Sequence, residues 1–276
     1  MRARSNQLIL AGVAAAAAAG LWIFARGARQ PDDAADRDRA TYPPLDVPKP
    51  VAEGIWIVDS GPIDAMGLKL PVRMTIIRLT NGDLLIHSPT RFSPALAQTI
   101  EALGRVRHLV APNIAHWTFL ADWQRAYPEA TTWAAPGLRE RSQVQASGVR
   151  IDAELGEAAP ADWADTLDQG VIPGAGFTEV WFFHRDTRTL VLVDLIENLE
   201  PDKLPPLARL VMQASAATRG TTARYLRLPV RLGGTEARRA VRAMVALEPE
   251  RVIFAHGRIF DDDGARRLRR AFGWLA

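Results

Sequence analysis

The sequence predicts an α/β domain of four layers, with helices outside and two β-sheets inside (αββα), preceded by a single N-terminal transmembrane helix. An uncharged apolar run opens the chain, and each half of the rest contains a β-hairpin. Each hairpin is followed by a helix and by a buried strand that ends in a polar loop. A doubly wound sheet is the alternative, but the paired hairpins favour antiparallel neighbours.

Residues 1–26 predict a membrane anchor. The run from Leu8 to Ala25 carries no charge and has arginines on both sides. At about 1.5 Å per residue it just crosses a hydrocarbon layer of roughly 30 Å. A cleaved signal peptide is the alternative, but large apolar residues and then an arginine stand where a cleavage site needs small residues. Residues 27–50, rich in Asp, Arg and Pro, are typical of a disordered linker, which leaves 51–276 for the domain.

The composition excludes several classes of site. The chain contains no cysteine, so disulfides, thiolate metal sites and cysteine nucleophiles are excluded. The formal net charge is +3, and the arginines are dispersed along the chain. A nucleic-acid-binding surface concentrates basic residues together with aromatic ones. We therefore expect no nucleic acid partner.

In the first half of the domain, Asn81-Gly82 predicts a tight hairpin turn because both positions tolerate positive φ. Ser93 and Pro94 predict the start of a helix whose apolar residues follow at helical spacing. The predicted elements of this half are strands at 54–58, 74–79, 84–87, 107–111 and 131–135, and helices at 93–103 and 119–127.

The second half repeats this plan, with a hairpin that turns at Arg185-Asp186-Thr187. The predicted elements of this half are strands at 179–183, 189–194 and 251–255, and helices around 207–211, 237–245 and 268–275. Corresponding strands of the two halves end at polar residues. These residues should meet at one edge when the sheets stack.

Several stretches resemble the metallo-β-lactamase superfamily. Residues 189–195 resemble the strand that delivers its metal-bridging aspartate, and residues 252–257 resemble the strand and loop with its last metal-binding histidine. Residues 110–116 lie where the superfamily has a His-x-His-x-Asp-His loop. With 73–79 and 81–89, they are similar to an uncharacterised bacterial branch of the ribonuclease Z and hydroxyacylglutathione hydrolase-like proteins, known mainly as a domain of unknown function. The resemblance covers most of 51–276, and with the anchor it implies a single-pass protein of the bacterial inner membrane, the periplasmic side being preferred for the domain.

The sequence also departs from the superfamily pattern. If His116 takes the last histidine position of the loop, Ala115 stands in place of the aspartate. Asn113 and Ala111 then stand in place of the other histidines. The histidine that normally precedes the second hairpin is missing near Gly176-Phe177. The resemblance therefore implies a degenerate site without the usual pair of metal ions.

The ligands that remain are His116, Asp194 and His256, with His87 as a possible fourth. A catalytic zinc commonly has three protein ligands and one open position. The resemblance implies one zinc ion, or iron or manganese, with His116 and Asp194 as the catalytic residues. The reaction would be hydrolysis of an ester, amide or phosphoester in an unknown small molecule.

Each of these residues has a structural alternative. A histidine at a strand end can simply be hydrogen-bonded, His87 can turn the chain, and Asp194 can cap a loop. A missing ligand could come from Glu179 or Asp64. His108 and His184 are expected to be exposed and outside the site. A metal-free, non-catalytic domain that binds a ligand or partner therefore stays open beside the hydrolase.

Overall fold

A computed structural model describes residues 40–65 and 68–275. The predicted anchor and residues 27–39 of the predicted linker lie outside the described residues. Strand β1 begins at Lys49, and Ala40 and Thr41 are already buried. The packed chain therefore starts before the predicted boundary at Val51. One contact that holds this segment is the hydrogen bond from the Lys203 ammonium to the Thr41 carbonyl, at 2.8 Å. Among the described residues, no helix combines the length and apolar character needed to cross a bilayer.

Within the described residues the first sheet has seven strands in chain order. They are β1 (Lys49–Ala52), β2 (Ile55–Ala65), β3 (Leu68–Arg78), β4 (Asp83–His87), β5 (Arg105–Ala111), β6 (Thr131–Ala134) and β7 (Ala153–Glu154). Strands β1 to β4 are antiparallel neighbours, and β4 to β7 are parallel. The helices of this half are α1 (Pro94–Glu101), α2 (Leu120–Ala126) and α3 (Ser142–Ser147). The Ser93 side chain caps α1 by accepting from the Leu96 amide, as the sequence predicts.

The second sheet runs in the order β12, β10, β9, β8. Its strands are β8 (Leu167–Gly174), β9 (Phe177–His184), β10 (Thr189–Val191) and β12 (Arg251–Ile253). A short parallel pair, β11 (Glu197–Asn198) and β13 (His256–Gly257), lies outside it. The helices are α4 (Pro206–Ala214), α5 (Arg224–Leu232), α6 (Gly234–Ala246) and α7 (Gly264–Ala271), with 3-10 turns at Pro201–Lys203 and Gly273–Leu275.

Strand alternation separates three apolar cores. In β3, Ile76 packs with the helices α1 and α2, whereas its neighbour Ile77 packs between the sheets. In β9, Phe182 lies between the sheets, whereas Phe183 packs under α5, α6 and α7. Helices, sheet, sheet and helices therefore follow one another as four layers.

The sequence did not predict β1, β7, β11 or α3, and the longest elements that it missed are strand β8 and helix α5. Strand β8 contains Gly170, Pro173 and Gly174, which are poor strand residues. The indole of Trp181 lies against Gly170, where a Cβ would come within 2.5 Å of the ring. Helix α5 carries Pro229 in its interior. Packing of neighbouring side chains against these positions overrides their weak local propensity.

Candidate metal centre

Three loops at one edge of the two sheets bring His116, Asp194 and His256 together. His116 follows β5, Asp194 follows β10, and His256 opens β13 after β12. Strands β4 and β5 run parallel, as do β10 and β12, so the loops after them emerge on one side. One nitrogen or oxygen from each side chain lies within 4.8 Å of the other two. The edge predicted from the sequence therefore exists and holds three of the four predicted ligands.

The spacing of these atoms suits a single metal ion. Asp194 Oδ1 lies 3.1 Å from His116 Nε2 and 3.1 Å from His256 Nε2. Tetrahedral zinc with bonds of about 2.0–2.1 Å needs ligand atoms roughly 3.3 Å apart. The Asp194 side chain is 14% exposed, against 5% and 4% for the two histidines. The carboxylate is therefore the most accessible of the three ligands.

The second nitrogen of each imidazole has its own partner. His256 Nδ1 donates to the Pro71 carbonyl at 2.8 Å. His116 Nδ1 is 2.6 Å from Ser88 Oγ, just after β4. Such partners fix the ring orientation of metal-ligating histidines and leave Nε2 for the ion.

Asn113 shapes both the His116 loop and the carboxylate. Its amide Nδ2 donates to Asp194 Oδ2 at 2.6 Å. Its Oδ1 accepts from the amides of Ala115 at 2.8 Å and His116 at 2.9 Å. The residue is fully buried. It thus acts both as a turn residue and as a polar contact of Asp194.

Glu179 holds the loop that carries Asp194. Its carboxylate accepts from the amides of Val193 at 2.8 Å, Asp194 at 2.9 Å and Leu195 at 3.1 Å. Burial and the nearby charge of Asp194 raise the pKa of Glu179, and the three amide donors oppose that rise. With both oxygens engaged by the backbone, Glu179 supports the loop and is not a member of the ligand group. The side chain of Asp64 lies outside the described residues.

Arg73 of β3 holds the His256 loop from the other side. Its Nη1 donates to the carbonyls of Phe254 and Gly257, both at 2.8 Å, and its Nη2 pairs with Asp59 at 2.6 Å. Gly257 has φ +97°, and a Cβ there would lie 2.1 Å from the Asn198 carbonyl oxygen. The glycine is therefore required where β13 passes β11.

The pKa values of Asp194 and His256 depend on the groups around them. Burial raises the pKa of Asp194, but the charge and hydrogen bond of His116 and the hydrogen bond of His256 outweigh burial, so that pKa lies below its usual value. Burial lowers the pKa of His256, but the hydrogen bond and charge of Asp194 outweigh it, so that pKa lies above its usual value. The site thus favours positive charge beside the partly buried Asp194 carboxylate.

A second buried carboxylate lies beside His256. Glu197 pairs with His256 across β11 and β13. Burial raises the pKa of Glu197 to about 7, and the charge of His256 opposes the rise. The hydroxyl of Tyr225, on α5, donates to Glu197 Oε1.

His87 does not join the ligand group, which corrects the prediction of a fourth ligand. It is the last residue of β4, on the same face as Leu85, and that face packs between the sheets. Its ring contacts Phe182 edge-on, with centroids 5.3 Å apart, and within the described part of the chain its Nε2 has no hydrogen-bond partner. Burial, assisted by the charge of His116, lowers the pKa of His87 to about 3. The imidazole is therefore a neutral core residue.

His108 and His184 are buried, not exposed as the sequence predicts. The Trp133 indole donates to His108 Nδ1 at 3.2 Å, and the Trp163 ring packs against the same imidazole. His184 Nδ1 lies 2.9 Å from the Thr187 hydroxyl. These partners allow both rings to be buried without a metal.

The sequence interpretation missed Ser88 and Arg73. A charged residue within the apolar run of β3 is a usable signal for Arg73, because an isolated charge inside a buried strand needs a polar partner. Ser88 has no such signal, since only the tertiary approach of β4 and the His116 loop gives it a function.

A small cleft lies beside His116. Its cavity volume is about 20 Å³, room for roughly one water molecule. Ser88, Thr90 and Thr118 line it together with Phe119. Thr90 Oγ1 is buried and has no hydrogen-bond partner among the described residues, so the cleft offers one polar atom for a small group.

The model of one known protein family matches most of the domain. The model of DUF4336, a domain of unknown function, matches residues 53–239. No curated protein matches the sequence.

Solved structures show the same fold at low identity. A metallo-β-lactamase from Erythrobacter litoralis is 14% identical, with a TM-score of 0.57, over 83% of this chain and 96% of that one. TMB-1 is 13% identical, with a TM-score of 0.56, over 83% and 97%. The metallo-β-lactamase FIM-1 from Pseudomonas aeruginosa, in its mono-zinc form, is 14% identical, with a TM-score of 0.55, over 83% and 95%. At these identities the likeness shows the metallo-β-lactamase fold alone.

Proposed function

The chain belongs to the DUF4336 family of domains of unknown function, and from that premise we propose that it is a hydrolase that uses one metal ion and is tethered to a membrane. The observation that carries the hydrolase is the group His116, Asp194 and His256, whose ligand atoms lie within 4.8 Å of one another. Two histidines and a carboxylate are a common ligand set for a catalytic zinc with one open position. FIM-1, which shares the fold, has been solved in a mono-zinc form.

The surrounding residues support one ion in preference to two. Ala111 and Ala115 offer no donor at the positions where the superfamily has ligands, and the Asn113 side chain is bonded to Asp194 and to the loop amides. Within the described residues, only His116, Asp194 and His256 form such a group of three or more potential ligands. The metal itself, zinc, iron or manganese, stays open for these ligand types.

The residues of the chain divide the work of such a site. His116 and His256 present Nε2, because their Nδ1 atoms are bonded to Ser88 and Pro71. Asn113 orients Asp194 through Oδ2 and leaves Oδ1 directed at both imidazoles. The bound ion would supply Lewis-acid activation of water and of the scissile ester, amide or phosphoester group.

The membrane tether rests on the sequence. Leu8 to Ala25 is long and apolar enough to span a bilayer. It precedes a domain whose packed chain begins at Ala40. We propose a single-pass protein of the bacterial inner membrane with the domain on the periplasmic side, a small molecule as substrate and no nucleic acid partner.

A metal-free binding domain is the second candidate, and one observation favours it. Without an ion the site is already satisfied, because Asp194 bridges the two histidines while Asn113 and Ser88 complete the network. A network that is complete in this way can be retained for its stability alone.

Metal analysis separates the two candidates. Full-length protein purified without chelator should carry close to one ion per chain and hydrolyse some member of a panel of ester, amide and phosphoester substrates. Asp194→Asn, which keeps the shape and removes the charge, should lose both metal and activity. His184→Gln is the matched control, a buried histidine outside the site, and should keep both. An intact wild-type protein that binds no zinc, iron or manganese above trace would leave the binding domain.

A further inference from the structure

Helix α4 is apolar on both of its faces. Ala208 and Met212 are buried in a small core beneath it. On the outer face, Leu207 is 76% exposed, Leu210 64% and Val211 49%. These three residues, the α4 stripe, have the i, i+3, i+4 spacing that places side chains on one line along a helix. An exposed apolar line of this kind marks a contact surface.

The apolar surface continues onto the next helix. The first residue of α5, Arg224, donates its amide to the Ser215 carbonyl and its Nη1 to the Ala214 carbonyl, so α5 begins against the end of α4. Tyr225, also on α5, is a further exposed large apolar side chain. Lys203 and Arg209 add positive charge near the stripe, and Arg209 lies 3.8 Å from Asp202.

The described chain begins close to this helix. The Lys203 ammonium donates to the Thr41 carbonyl at 2.8 Å and lies 4.9 Å from the centre of the Tyr42 ring. Lys203 closes the 3-10 turn Pro201–Lys203, and α4 begins at Pro206. The described chain therefore begins beside the start of α4.

The length of the tether limits which face can meet the membrane. Residues 26–39 separate the apolar run from the domain. Fully extended they reach about 46–50 Å, and as a flexible chain about 20 Å. A domain of this size is roughly 45 Å across. A tether of average length is therefore shorter than the domain, and it keeps the α4 side toward the bilayer.

We propose that α4 lies on the membrane surface, with Leu207, Leu210 and Val211 at the boundary between headgroups and acyl chains. This inference rests on the membrane tether of the proposed function. An interfacial helix buries its apolar side about 5–10 Å into that boundary. Lys203, Arg209 and Arg224 then lie at headgroup level, where basic side chains attract anionic lipid. The occupant of the stripe is lipid, and a second copy of the chain is the competing occupant.

The absence of cysteine from the chain allows a direct test. Full-length Leu210→Cys carries an environment-sensitive fluorophore and is reconstituted in vesicles of equal parts phosphatidylcholine and phosphatidylglycerol. The matched control is Gln98→Cys, exposed on α1 in the first half of the domain. On reconstitution, the label at 210 should shift to the blue and be quenched by lipids brominated in their acyl chains. The label at 98 should show neither change.

The remaining outcomes decide against the proposal in distinguishable ways. If the protein floats with the vesicles while label 210 behaves like label 98, the tether stands and the docking of α4 is wrong. If the protein does not float, the tether fails and the docking fails with it. If label 210 is already shielded in detergent and becomes more shielded as protein concentration rises, a second copy covers the stripe. Loss of metal or activity has no part in these readouts, so they leave the hydrolase question separate.

Discussion

Two histidine environments, 29 residues apart along the chain, differ in nearly every physical respect. His116 lies in a loop at the sheet edge, with Ser88 on one nitrogen and Asp194 on the other. His87 lies one strand end away, between the sheets, against Phe182 and with Nε2 unpartnered. At the edge, polar side chains and backbone groups surround each imidazole. Between the sheets, hydrocarbon side chains surround the His87 imidazole. The residue type alone therefore does not show whether a histidine belongs to the site or to the core. The face of the strand and the position in the loop must also be known.

The loop that carries His256 at this edge is held by the buried ion pair of Arg73 and Asp59. Removing that support is expected to have the largest effect. Arg73→Leu removes the donor to the Phe254 and Gly257 carbonyls and leaves Asp59 buried with Lys49 alone. Removing one partner of a buried ion pair costs about 3–5 kcal/mol. We expect a loss of that size in the free energy of unfolding, measured by urea titration, and a loss of metal from the displaced His256 loop.

A paired variant sharpens this prediction. Arg73→Leu combined with Asp59→Leu removes both charges and should recover part of the lost stability. The metal content should stay low in the double variant, because the loop carbonyls still lack their donor. An unchanged unfolding midpoint in Arg73→Leu would show that the His256 loop is stable without this support.

Loss of His87, the histidine between the sheets, should change how the free energy of unfolding depends on pH. The pKa of His87 is lowered from 6.5 to about 3 by burial, so the imidazole is neutral in the folded protein while the unfolded chain binds a proton below its usual pKa. The stability that comes from neutral His87 is complete above about pH 6.5 and is lost as the pH falls toward 3. His87→Leu should therefore flatten the decline in the free energy of unfolding, by up to about 1.4 kcal/mol per pH unit.

The measurement is urea unfolding of both proteins at several pH values from neutral to about pH 4. His116→Leu is the matched variant at the edge, and it should lose the metal, whereas His87→Leu should keep it. If His87→Leu loses the metal instead, His87 is a fourth ligand and the distinction between the two regions disappears.

The comparison also explains how much of the molecule the sequence could predict. Asn81-Gly82 and Ser93 have local chemistry that determines a turn and a helix cap, and both lie where predicted. The strands that precede His116, Asp194 and His256 can be recognised in the sequence as apolar runs. The meeting of these three residues at one edge could therefore be predicted. His87 is the last residue of its strand, and assigning it to the core requires knowing which face of β4 points inward. The sequence does not show this, because β4 has apolar residues on both faces. Strand β8 was missed because its glycines are explained only by tertiary contacts, Gly170 with the Trp181 ring and Gly174 with the Pro229 carbonyl.

Ser88 supplies the smallest expected effect and the finest test of the edge. Its hydroxyl lies 2.6 Å from His116 Nδ1, so Ser88→Ala removes this contact while all three candidate ligands remain. Loss of such a partner weakens metal binding by about tenfold at the low end of the usual range. Ser93→Ala is the control at the α1 cap, with a cost of about 1 kcal/mol in stability and no change in metal affinity. A competition titration against a chromogenic chelator measures the affinity. Equal affinities in Ser88→Ala and wild type would mean that the loop alone orients His116, whereas a tenfold difference confined to Ser88→Ala would show that the edge is tuned through its hydrogen bonds.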